Sequence, residues 1–108
     1  TRSPHRRQLH RRTMSLPAAE LLASSWTCAA PGYDELFVPR FAPWTEDALA
    51  AVAACADGLP TGPVLVPTCG PGQELPLVAR LLGTDRPVVG VDFAPGMVEI
   101  ARRRASEC

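Results

Sequence analysis

The chain has 108 residues, 46% hydrophobic and 20% charged, which argues against a wholly disordered polymer and fits one small domain or part of a larger one. Its formal net charge is zero, but Arg2, Arg6, Arg7, Arg11 and Arg12 all precede the first acid, Glu20. The remainder therefore carries six basic against eleven acidic residues, a net of about −5, which argues against a nucleic-acid footprint, and no run approaches the roughly 18 apolar residues of a bilayer span.

Residues 1–14 form a basic leader expected to lack a fixed structure. Met14 opens MSLPAAELLASSW, the texture of an ordinary cytoplasmic start, so residues 1–13 are expected to be upstream or fragment sequence; an Arg-rich, acid-free stretch also has the composition of a mitochondrial transit peptide. Cys28, Cys55, Cys69 and Cys108 lie far apart without a CxxC pair, and His5 and His10 are the only imidazoles. Neither a zinc site nor a disulfide framework is suggested.

Residues 15–58 are expected to form a helical cap. A short helix fits 16–25, residues 26–31 break the pattern, and YDELFVPRFAPW should be split into turns, because Pro39 and Pro43 each remove a donor and fix φ. A better helix spans 45–58, with Thr45 as its cap, Glu46 and Asp47 at its positive end, Gly58 as its stop, and Leu49, Val52, Ala53 and Ala56 on one inward stripe.

From residue 59 the texture changes. Strands are predicted at 64–66 and 88–91 and helices at 73–82 and 95–105; Leu75, Val78, Ala79 and Leu82 form one inward stripe, and Met97, Ile100 and Ala101 the other. Pro76 and Pro95 fall in first turns, where a missing donor is tolerated. This order is the βαβ pattern of a parallel sheet, so the fold class is α/β. Arg102, Arg103 and Arg104 read as the solvated end of the last helix, where cations complement the dipole.

The first strand runs into its helix through VLVPTCGPGQE. Gly70 and Gly72 remove side chains where the backbone turns, letting a ligand lie against bare amides at the positive end of a helix. Twenty residues after Gly72, Asp92 ends the second strand, where a carboxylate can accept hydrogen bonds from ribose hydroxyls. In dinucleotide enzymes a third glycine lets the helix pack tightly on the strand; Leu75 holds that position here, which argues against NAD.

These segments resemble class I S-adenosylmethionine-dependent methyltransferases. VLVPTCGPG is similar to the family's first motif, and VVGVDFAPGMVEIARRRA to the following strand with its terminal acid and a helix opening on Pro, Gly and Met. The resemblance implies the N-terminal portion of a Rossmann-like domain, begun at residue 59 and incomplete. It implies S-adenosyl-L-methionine as cofactor, with Thr68, Cys69, Gly70, Pro71, Gly72, Asp92, Phe93 and Met97 at its site, no metal, and an unspecified methyl acceptor. Tyr33, with Phe37, Phe41 and Trp44, would lie over that pocket or pack as the core of the cap. Two positions depart from the family: Val66 replaces its acid and Thr68 its first glycine. The segments that hold substrate and base lie beyond this sequence, so no catalytic residue is named and the isolated chain is expected to be inactive. Two alternatives stay open, a non-catalytic truncated regulatory module and a nicotinamide-dependent oxidoreductase.

Overall fold

The computed structural model describes residues 16–82 and 86–107; the basic leader lies outside the described residues. Helix α1 (Leu16–Gly32) passes into one wide π-helical turn (Tyr33–Phe37) and then into α2 (Val38–Ala54). A short 3-10 turn (Ala56–Gly58) closes the helical part. Strand β1 (Val64–Pro67), helix α3 (Leu75–Leu81), strand β2 (Val88–Val91) and helix α4 (Pro95–Ser106) follow.

The expected break at residues 26–31 and the splitting of YDELFVPRFAPW do not occur, and Thr45 is interior to α2 rather than its cap. Residues 26–31 stay helical with Pro31 inside α1; YDELFVPRFAPW stays helical because of the π-helical turn, in which the Val38 amide reaches back to the Tyr33 carbonyl. That extra residue resets the helix, so Pro39 falls in the first turn of α2, where its missing N–H has no partner to lose. Pro43 sits inside α2 at the expense of one ladder bond. Helix α2 ends at Ala54, short of the expected stop at Gly58, which instead closes the 3-10 turn; the stripe expected to be inward contains no buried residue, and Val52 is exposed.

The second half agrees closely with the sequence pattern. Strands β1 and β2 pair in parallel, with Val64 opposite Val88 and Pro67 opposite Val91. This is a mixed helix and strand arrangement with a two-stranded parallel sheet, compatible with an incomplete α/β fold. Helix α3 packs against the side of β2 that carries Val88 and Gly90; Leu75 and Cys69 approach so near Gly90 that a Cβ there would meet their side chains at 3.0 Å. The opposite face, formed by Leu65, Pro67, Val89 and Val91, is exposed. Within the two predicted stripes Val78, Met97 and Ala101 are buried, whereas Ala79 is exposed.

Helix α1 lies across the start of α4. Ala30, Ala94 and Met97 are buried together, with Tyr33 and Ile100 packed against them. The Gly96 amide donates to the Thr27 hydroxyl at 3.1 Å, and a Cβ on Gly96 would stand 2.8 Å from the Thr27 methyl and carbonyl oxygen. Gly72 plays the same part between the first turn and α4: its φ is +73°, and a Cβ there would stand 2.8 Å from the Ala101 Cβ.

Gly72→Ala must therefore displace α4, and overpacking of about 1–3 kcal/mol should add to its own left-handed backbone cost in urea denaturation followed by helical circular dichroism. Gly70→Ala has nothing within 4 Å to meet at φ +56°. It should incur only the left-handed backbone term of about 1–2 kcal/mol. Equal stability of Gly70→Ala and Gly72→Ala would disprove the close packing.

Candidate functional site

The site is built at the C-terminal ends of the two parallel strands, where open α/β sheets place their ligands. After β1 the backbone turns through left-handed residues at alternate positions: Thr68 at φ +51°, Gly70 at +56° and Gly72 at +73°. Thr68 is β-branched, so this conformation is strained, and such strain concentrates at functional positions. Its hydroxyl donates to the Pro67 carbonyl at 2.7 Å, which uses its proton within the turn.

Asp92 directly follows β2 and ties the two strand ends together. Its Oδ2 accepts from the Gly70 amide and its Oδ1 from the Ala94 amide, both at 2.9 Å. The Cys69 amide donates to the Val91 carbonyl at 2.9 Å, extending the sheet by one bond into the turn. The Gly70 amide is thus turned toward Asp92 and is not bare. A carboxylate has about four lone-pair sites, so each Asp92 oxygen retains capacity for a further donor.

A cavity of about 260 Å³ opens beside this carboxylate, lined by Trp26, Tyr33, Thr68, Gly70, Asp92, Phe93 and Met97. Five of the eight residues assigned to the site by resemblance line it: Thr68, Gly70, Asp92, Phe93 and Met97. Cys69, Pro71 and Gly72 are buried beside it without lining it, and they shape the turn from behind. Tyr33 takes part in both expected arrangements, lining the cavity and packing on the Ala30, Ala94 and Met97 cluster. Phe37, Phe41 and Trp44 neither line it nor form a core; Phe37 stacks on Tyr33 at 5.7 Å, Phe41 on Phe37 at 6.3 Å, and Trp44 is 69% exposed.

Trp26 is the lining residue that sequence reasoning missed. It meets Tyr33 edge to face at 5.9 Å. The signal was present, because residues 26 and 33 are two helical turns apart and share a face once the helix runs through residues 26–31. Arg104 is also not a solvated helix end: it pairs with Asp34 at 2.8 Å and donates to the Pro71 carbonyl.

Burial pushes the Cys69 thiol up, and the Asp92 and Glu74 carboxylates add to the shift. Cys28 and Cys55 are exposed, and all three are free thiols. Among the described residues no cluster of His, Cys, Asp or Glu could hold a metal ion, and no helix is long and apolar enough to cross a membrane. No family model matches the chain, and the curated proteins and solved structures compared with it gave no match.

Burial also pushes the Glu74 carboxyl above its ordinary value of 4.5, against the opposing pull of its own backbone and of Arg104. Oε2 of Glu74 is buried without a hydrogen-bond partner. A raised carboxyl value means that the folded state binds this proton more tightly than the unfolded state. The contribution is therefore fully present below the ordinary value and is lost as pH rises through the raised one. Glu74→Gln should melt no lower than wild type at neutral pH and should reduce the decline in melting temperature from weakly acidic to neutral pH. A steeper decline in the variant would contradict this assignment.

Proposed function

We propose that the cavity holds the nucleoside end of S-adenosyl-L-methionine and that the chain is the cofactor-binding front of a class I, Rossmann-like methyltransferase. The observation that carries this reading is the position of Asp92. Its carboxylate directly follows the second parallel strand, bridges the Gly70 and Ala94 amides, and borders a largely apolar slot.

The fit is chemical as well as topological. A nucleoside presents a flat apolar ring beside a pair of hydroxyls. The slot offers the rings of Trp26, Tyr33 and Phe93 and the thioether of Met97 on one hand, and a carboxylate with acceptor capacity on the other. Gly70 leaves open space where a side chain would stand. In this reading Asp92 binds the ribose hydroxyls, Phe93 and Met97 contact the adenine, and Thr68 and Gly70 border the path toward the methionine portion. The bound cofactor supplies an electrophilic methyl group on a sulfonium for a nucleophilic acceptor. The chain's own residues bind and orient it, the positioning on which such transfers depend.

The alternative dinucleotide reading is weakened by Leu75, whose side chain fills the space between Gly72 and Gly90 that a third glycine would leave open. A second reading, a non-catalytic interaction module, is favoured by one observation. Leu65, Val89 and Val91 expose an apolar sheet face, with Leu65 62% exposed.

Calorimetric titration of S-adenosylmethionine and S-adenosylhomocysteine into the chain tests the proposal. Saturable binding of both, weakened by about 1–3 kcal/mol in Asp92→Ala, is expected when the partners of buried donors are removed. Binding of NADH in their place would overturn it. Absence of all three, with a molecular mass that rises with concentration, would favour the interaction module.

A further inference from the structure

Arg104 stands 70 positions from Asp34 and 33 from Pro71, yet its two terminal nitrogens reach both, Nη2 to the Asp34 carboxylate at 2.8 Å and Nη1 to the Pro71 carbonyl. Each partner is next in sequence to a residue that lines the cavity. Asp34 follows Tyr33 on the helical wall, and Pro71 follows Gly70 on the glycine turn. The guanidinium thus spans the two segments that face one another across the slot, and its planar fork matches two acceptors at once.

We propose that Arg104 and Asp34 are positioning residues of the cavity, joining the wall that bears Trp26 and Tyr33 to the turn that bears Thr68 and Gly70. The affinity arm of this inference rests on the cofactor reading above, while the coupling itself is independent of any ligand. Three features distinguish the pair from an incidental surface contact. Its side chains are only 28% and 26% exposed. The same guanidinium holds a backbone carbonyl, so neither bond moves without the other. Asp34 lies in the π-helical turn, none of whose residues is buried; Tyr33 rests on the Ala30, Ala94 and Met97 cluster, and polar and ring contacts supply the rest of the segment's hold. π-Helical turns recur at functional sites because they re-aim side chains, and here the turn directs Tyr33 to the slot while Asp34 meets Arg104.

The test has two arms on the full chain. Without ligand, hydrogen exchange is followed at the amides of Tyr33–Phe37 and of Cys69, Gly70 and Gly72, with those of β1 and β2 as the internal reference. Arg104→Gln and Asp34→Asn should each speed exchange in both segments and leave the strands unchanged. In a Trp44→Phe background, where Trp26 is the sole tryptophan, both should raise its quenching by acrylamide. With S-adenosylhomocysteine, each should weaken binding by about fivefold to twentyfold. The double variant should be no weaker than Arg104→Gln alone, and Arg104→Lys, which keeps a cationic donor, should lose less than Arg104→Gln. A uniform rise in exchange that includes the strands, or losses that multiply in the double variant, would overturn the proposal. If wild type fails to bind S-adenosylhomocysteine but the confined exchange response is present, the cofactor reading fails and the coupling stands. If wild type binds and the variants bind equally well with exchange in both segments unchanged, the coupling fails and the cofactor reading stands.

Discussion

Asp92 uses both carboxylate oxygens to hold backbone, one on the Gly70 amide and one on the Ala94 amide. Two parallel strands of four residues share few ladder bonds, and their ends would otherwise fray into two independent loops. Charge-assisted bonds to backbone amides are the strong variety, and these two fix the exit from each strand relative to the other. The left-handed turn from Thr68 to Gly72 and the start of α4 at Pro95 are both set by that constraint. The cavity is the space between them, closed on its far side by α1 and the π-helical turn.

The half of the chain from residue 59 onward was legible because its signals are local. Four-residue apolar runs, glycines at the turn, proline in the first turn of each helix and an acid twenty residues on place β1, β2, α3 and α4 within a few residues of where they lie. Gly70 and Asp92 stand out by the same local pattern, whereas Thr68, Phe93 and Met97 enter only through the family resemblance. Pattern alone did not separate residues that face the slot from those that brace it. Gly70 and Gly72 look alike in sequence, yet one opens onto the cavity and the other is pressed against Ala101. That distinction depends on α4, which lies about thirty residues away in the chain.

The helical half was misread for a different physical reason. Two prolines in YDELFVPRFAPW predict interruption when each is assumed to fall in mid-helix, but one inserted residue in the π-helical turn moves Pro39 into a first turn. With the continuous helix unrecognised, the alignment of Trp26 with Tyr33 was hidden, and so was the cavity wall they make. Arg104 was read as an exposed end of an amphipathic helix. Its partners come from positions 34 and 71, and no short-range pattern reports contacts at that separation.

Helix α4 is held at three levels along its length: Gly96 against Thr27, Ala101 against Gly72, and Arg104 against Asp34 and Pro71. The first two are contacts between atoms with no room to spare, so side-chain volume at positions 72, 96 and 101 cannot drift independently. A sequence lineage that keeps this arrangement is confined at those three sites to the smallest residues or to paired changes that move the whole helix. Such confinement makes α4 a mechanical spine. A shift of it by a fraction of an ångström would be felt at once by α1, by the glycine turn and by the slot between them.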